Sequence, residues 1–282
     1  MSIQFSPVLS AQPYHNGVDF IVYNLGLHRL RDRTSPILSL DRFQVRGRPF
    51  PPHPHAGFSA VTYVLEDSPA GVRSRDSLGN DLVVGPGGLI WTEAGSGVIH
   101  EESPARPDGE LHGFQIFVDL DPDAKLAAPR VLHVAGDAVP EWRNGKGDRV
   151  RAVVGDYQGA SSALVPATPF HLLDFHLQGP APFDLAEGHN ALVYVLTGLV
   201  RVSSEGQSRE VPANHALALQ SGGALTFEAF HGGHFLLFAG AALSGPVLAH
   251  GPFFMNTQAQ LEAAYRRFHE GAMGYLAPLV EP

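Results

Sequence analysis

From about residue 17 to residue 240 the chain runs in short stretches where apolar and polar positions alternate. Examples are FIVYN at 20–24, FSAVTYVLE at 58–66, GFQIFVDL at 113–120, RVRAVVGDY at 149–157, HLLDFHL at 171–177, ALVYVLTG at 191–198 and HFLLFAG at 234–240. A period of two sends successive side chains to opposite faces of a strand, so the pattern predicts an all-β chain built as a sandwich or barrel. SLGN at 77–80 and GPGG at 85–88 read as tight turns between such strands. The period changes once, near the end. Leu261, Ala264, Tyr265 and Phe268 recur at helical spacing, Thr257 to Gln260 fits a capping box, and Gly271 follows as a stop. This predicts one amphipathic helix that docks its apolar stripe on a sheet.

At 282 residues the chain is long enough for two domains of about 140 residues. Two similar halves are also suggested by Tyr63-Val64-Leu65, which returns as Tyr194-Val195-Leu196. Between Asp119 and Asp148 the alternation gives way to loop-like sequence, and the junction is placed there, giving domains 1–130 and 131–282.

Composition narrows the chemistry. There is no cysteine, which removes disulfides, thiolate metal sites and cysteine nucleophiles. Any metal must be held by imidazole and carboxylate. A net charge of −9 without a Lys/Arg block argues against direct nucleic-acid binding, which needs clustered cations. The apolar run Phe235 to Leu243 is about half of a bilayer crossing, and the N-terminus shows no basic segment followed by an apolar one. The expectation is a cytoplasmic protein with no membrane segment.

Fifteen histidines stand out. His28, His133, His171, His176 and His215 sit among strand residues, where a hydrogen-bonded core or rim imidazole is the default reading. His53 and His55, in PPHPHAGF, are two apart, so in an extended segment both imidazoles face one side while Pro54 faces the other. His100 and Glu102, in GVIHEE, repeat the pattern, and parity selects Glu102 over Glu101. If the two stretches are neighbouring strands, three imidazoles and one carboxylate converge and leave two positions of an octahedral ion open, as in an expanded non-haem iron site. A hydrolytic zinc site is the alternative, though catalytic zinc usually takes three protein ligands and water.

The runs PHPHAGFSAVTYVLE, RDSLGNDLVVGPGGLIWTEAGSGVIHEESP, LHGFQIFVDL and GPFFMNTQAQLEAAYRRFHEGAMG resemble the pirin family of the cupin superfamily, from about residue 40 to residue 274. The resemblance implies a bicupin: two antiparallel β-barrels with a C-terminal helix, one divalent metal in the N-terminal barrel and a metal-free C-terminal barrel. It places the metal ligands on His53, His55, His100 and Glu102. Iron(II) is the metal usually taken for the family, and nickel, copper, zinc or manganese can occupy such a nitrogen and oxygen site. The chain departs from the family's usual pattern at Ala56, Ser59, Ser74, Gly88, Ile90 and Glu93, none of them a ligand. In the C-terminal half, shifting by the repeat offset puts Asp184, Ala186 and Gly233 where three ligands would be, with His189, His231 and His234 as the residues able to contradict a metal-free barrel.

Two functions follow from the resemblance. One is a quercetin 2,3-dioxygenase-like oxygenase, with a flavonol and O₂ as substrates and Glu102 as the catalytic base. The other is a metal- or redox-sensing regulator that binds a protein partner without catalysis. Apolar and aromatic side chains would have to line a flat pocket for an aromatic substrate; Phe43, Phe58, Tyr63, Trp91 and Phe114 are near enough in sequence to contribute, with barrel core as the default reading for each.

Overall fold

The computed structural model describes residues 3–279 apart from 16, 18 and 49. Strand dominates it, and among the described residues no helix is long and apolar enough to cross a membrane. The chain forms two compact units, each assembled from separate stretches: 14–22, 39–137 and 243–282 in one, and 1–13, 23–38 and 138–242 in the other. Both are antiparallel, cupin-type β domains, as the alternation and the resemblance predicted.

The first unit includes the strands β1 (Ile37–Arg46), β2 (His53–His55), β3 (Phe58–Val64), β4 (Val72–Asp76), β5 (Asp81–Val84), β6 (Leu89–Glu93), β7 (Val98–Pro104), β8 (Glu110–Asp119) and β9 (Arg130–Val134). One sheet runs β9-β6-β3-β8-β1 and continues onto the strands Phe20–Asn24 and Gln12–His15, and a second runs β2-β7-β4-β5. The central strand β3 is buried along its whole length, and its polar residues are Ser59 and Thr62. The helix α1 (Gln258–His269) belongs to this unit. Its start is set by the capping box: Thr257 accepts from the Gln260 backbone N–H while the Gln260 side chain accepts from that of Thr257. Its stripe, Leu261 and Ala264 with Tyr265 and Phe268 beside them, packs with Ala56, Phe253, Met255 and Met273. The helix is therefore a packing element, and what it covers is the chain immediately after β2.

The second unit contains β10 (Glu141–Arg143), β11 (Arg149–Val154), β12 (Phe170–Leu177), β13 (Pro180–Leu185), β14 (His189–Ser204), β15 (Gln207–Pro212), β16 (His215–Gln220) and β17 (Gly223–Ala241). They lie in one sheet ordered β16-β14-β17-β12-β11-β10, with β13 on β17 and β15 on β14. Alternate positions of these strands, among them Val150, Leu173, Phe175, Val193, Phe235 and Leu237, make a single apolar core.

Candidate metal centre

Two short strands build the centre. β2 pairs antiparallel with β7 so that His53 lies directly opposite His100 and His55 opposite Val98. Parity puts His53, His55 and His100 on one face of this sheet, with Pro54 and Ile99 directed to the other. The three imidazoles form a triangle, each pair of ring centroids 4.7 Å apart. One ring nitrogen from each lies within 4.8 Å of the other two.

Glu102 lines the same cavity, two residues along β7, but stands outside that closest set. Its Oε2 accepts from the Thr62 hydroxyl at 2.5 Å. Ser74, directly across on β4, also hydrogen-bonds it. Burial pushes the Glu102 carboxyl up to about 7, against the two hydroxyls that favour its anion. Glu101 lies instead against Arg75, its cross-strand partner, in a largely buried ion pair. The Arg75 guanidinium also donates to the Ala277 carbonyl at 3.2 Å.

The imidazoles are in the state a cation requires. His55 is lowered to about 3 by burial and by the neighbouring His53, with a backbone hydrogen bond to Pro252 opposing. His100 is held well below the ordinary value by burial and by both other histidines, and His53 is lowered by burial despite the Pro51 carbonyl. All three are neutral at neutral pH and offer lone pairs. The Pro51 carbonyl lies 2.9 Å from Nδ1 of His53, so Nδ1 carries the proton and Nε2 is left as donor. Nδ1 of His55 and Nδ1 of His100 are buried without a hydrogen-bond partner. Leaving such atoms unsatisfied costs on the order of 1–3 kcal/mol each. Neutral nitrogen donors packed this closely around one point, beside a carboxylate, fit a first-row divalent metal.

Several features that hold the centre in place carry no motif. Lys125, fully buried, donates to the Gly57 carbonyl at 2.8 Å and the Phe254 carbonyl at 3.2 Å, and ion-pairs with the buried Asp119. Burial pushes Asp119 up and Lys125 down, so the pair is held together at a desolvation cost. Gly57 has φ +84°, and a Cβ there would sit 1.9 Å from the Phe254 carbonyl oxygen. Only glycine lets the chain after His55 approach that closely.

Most of the departures from the family pattern also have local causes. Ala56 is fully buried in the apolar cluster under α1. Gly88 is required because a Cβ would come within 2.4 Å of Val84 and 2.7 Å of the Val134 carbonyl. Ile90 is core, Glu93 pairs with Arg130 at 2.6 Å, and Ser74 supports Glu102. Nothing in the structure explains Ser59.

Above the imidazoles lies a cavity of about 230 Å³. Its walls are Phe20, Val22, Phe43, Val45, Phe50, Leu111 and Phe117, with Asp41, Thr62 and Gln115 as polar points. Of the five aromatics near enough in sequence to contribute, Phe43 lines the cavity, whereas Phe58, Tyr63, Trp91 and Phe114 are core side chains no more than 1% exposed, the default reading for each. Parity along β8 agrees, since Gln115 and Phe117 share a face and Phe114 has the opposite one. Phe58 still matters, because its ring stands edge-on to His55 at 5.0 Å and helps to fix it.

Comparison with known proteins agrees with this architecture. A Pseudomonas aeruginosa protein provisionally named a quercetin 2,3-dioxygenase is 32% identical over 254 residues, covering 86% of this chain and 88% of its own. Human pirin is 31% identical over 246 residues, covering 85% and 83%. The crystal structure of a quercetin 2,3-dioxygenase from Acinetobacter baumannii matches with TM-score 0.85 at 26% identity, covering 98% of this chain and all of that one. A pirin of Escherichia coli, solved in complex with nickel(II), shares the fold with TM-score 0.66 at 19% identity, covering 85% and 100%. The family model for pirin matches residues 27–118 and that for the pirin C-terminal cupin domain matches 172–274, so this chain belongs to the pirin family.

Proposed function

We infer that the chain is a metal-dependent dioxygenase that opens the central ring of a flavonol such as quercetin with O₂, using iron(II) held by His53, His55, His100 and Glu102. The observation that carries this reading is the triangle of three neutral imidazoles at the floor of a small aromatic-walled cavity, with a carboxylate at its edge. The bound ion would supply Lewis acidity toward a hydroxyl and adjacent carbonyl and a site for O₂. The remaining tasks fall to this chain's own side chains. Phe20, Phe50 and Phe117 offer apolar surface to a flat ring system and keep bulk water away from it. Glu102, poised near neutrality, accepts the proton of the substrate hydroxyl. Thr62 bridges Glu102 and Gln115, fixing the direction from which the carboxylate acts. Quercetin 2,3-dioxygenases among the relatives support the substrate class.

The test is an anaerobic titration of iron-loaded protein with quercetin, followed by O₂. Binding perturbs the flavonol absorption, and O₂ then bleaches it catalytically. A metal-loaded protein that leaves the flavonol unchanged in O₂ gives up the oxygenase reading in favour of a regulatory, partner-binding role.

A further inference from the structure

The construction of the centre on β2 and β7 occurs a second time, in the other unit. Asp174 and His176 are an i, i+2 pair on β12, and His234 on β17 lies directly opposite His176. In the first centre His53 and His55 are the i, i+2 pair, and His100 lies directly opposite His53. Leu173, Phe175 and Phe235, the intervening residues, belong to the apolar core. Asp174, His176 and His234 therefore share the other face of the sheet.

We propose that Asp174, His176 and His234 form a second divalent-metal site, separate from the pirin-type centre, selecting a first-row ion such as zinc. The donor spacing supports it. Asp174 Oδ1 lies 2.7 Å from Nε2 of His234 and 3.3 Å from Nε2 of His176. One donor atom from each of the three residues falls within 4.8 Å of the other two. Bonds of about 2.1 Å to an ion place adjacent donors about 3.0 Å apart in an octahedron and about 3.4 Å apart in a tetrahedron. Both measured distances sit at that scale. Two imidazoles and a carboxylate also leave positions open for water, which suits zinc and its neighbours.

Access and charge are compatible. Asp174 is wholly buried and forms the floor, while the side chains of His176 and His234 are 32% and 20% exposed, so an ion can enter from solvent. The histidine rings stack at 3.9 Å with their planes 20° apart, so one imidazole has to turn for both nitrogens to face a single ion. Two cations flank the cluster across β11, Arg149 opposite His176 and Arg151 opposite Asp174. Both reach Glu141 at 3.3 Å, which offsets their charge in part. The site is consequently weaker than the first one.

The test uses the full chain, stripped with a chelator and titrated with cobalt(II) and then zinc(II), read by metal analysis and by the visible absorption of cobalt. Wild type is expected to bind two equivalents, His53→Ala/His100→Ala one, Asp174→Asn/His234→Gln one, and the combination none. His176→Gln, at the most exposed of the three ligands, repeats the second-site test should the buried Asp174→Asn fail to fold, and is expected to lose the weaker equivalent. The proposal is overturned if wild type takes up a single equivalent that the second-site changes leave intact. It is equally overturned if folded His53→Ala/His100→Ala binds nothing, in which case Asp174, His176 and His234 are a hydrogen-bonded proton cluster alone.

Discussion

Replacing Lys125 tests whether the segment after the ligand strand is held by a buried charge. Lys125→Met keeps the length and apolar stem but takes the ammonium from Asp119, itself only 3% exposed, and from the Gly57 and Phe254 carbonyls. Removing one member of a buried ion pair costs about 3–5 kcal/mol, because the remaining charge stays desolvated. Against a total stability of about 5–15 kcal/mol this is a large fraction. At about 2–4 °C per kcal/mol for domains of this size, the midpoint falls on the order of 10 °C. Adding Asp119→Asn removes the stranded charge while keeping an acceptor for the Leu120 N–H, which now lies 3.0 Å from Asp119 Oδ1. The double variant should therefore recover about 1–3 kcal/mol. The assay is guanidinium unfolding of metal-free wild type, single and double variants, with metal titrations in parallel to register any displacement of His55. A single variant within about 1 kcal/mol of wild type, or a double variant no better than the single, refutes the reasoning.

Three further outcomes are expected. Glu102→Gln keeps the shape and an oxygen but loses basicity, so at saturating metal flavonol turnover should fall about 10²- to 10⁴-fold while binding of the flavonol persists, as single-turnover kinetics would show. Ala56→Arg should destabilise the protein by more than about 3 kcal/mol in a thermal melt, because it drives a charge into the apolar cluster under α1. Metal-free protein should lose stability as pH falls below about 6.5. His55 at about 3, with His53 and His100 also lowered, binds fewer protons folded than unfolded in that range, and Glu102, raised to about 7, acts in the opposite sense but is one group against three. Each histidine contributes a slope of at most about 1.4 kcal/mol per pH unit, and denaturant midpoints measured from pH 5 to pH 7 would check the sign.

The sequence by itself determined what depends on neighbours along the chain. Period two identified the strands and decided that His53 and His55 share a face, and that His100 and Glu102 do. The capping residues and the apolar stripe located α1 closely, because a helix is stabilised by its own turns. Tertiary structure decided everything that depends on which strands become neighbours. Parity states which face a side chain occupies but not what lies across from it, so Lys125, more than a hundred residues from Phe254, could not be seen to bridge it to Gly57. The same holds for Phe20, Phe50 and Phe117, drawn from three separate segments to line one cavity. Residues 243–279 pack into the unit that carries the first centre, beneath which they bury Ala56. His176 reads as an ordinary strand residue until β17 sets His234 opposite it. Strand pairing at long sequence separation follows from the summed burial of whole sheets, and no local pattern contains that sum.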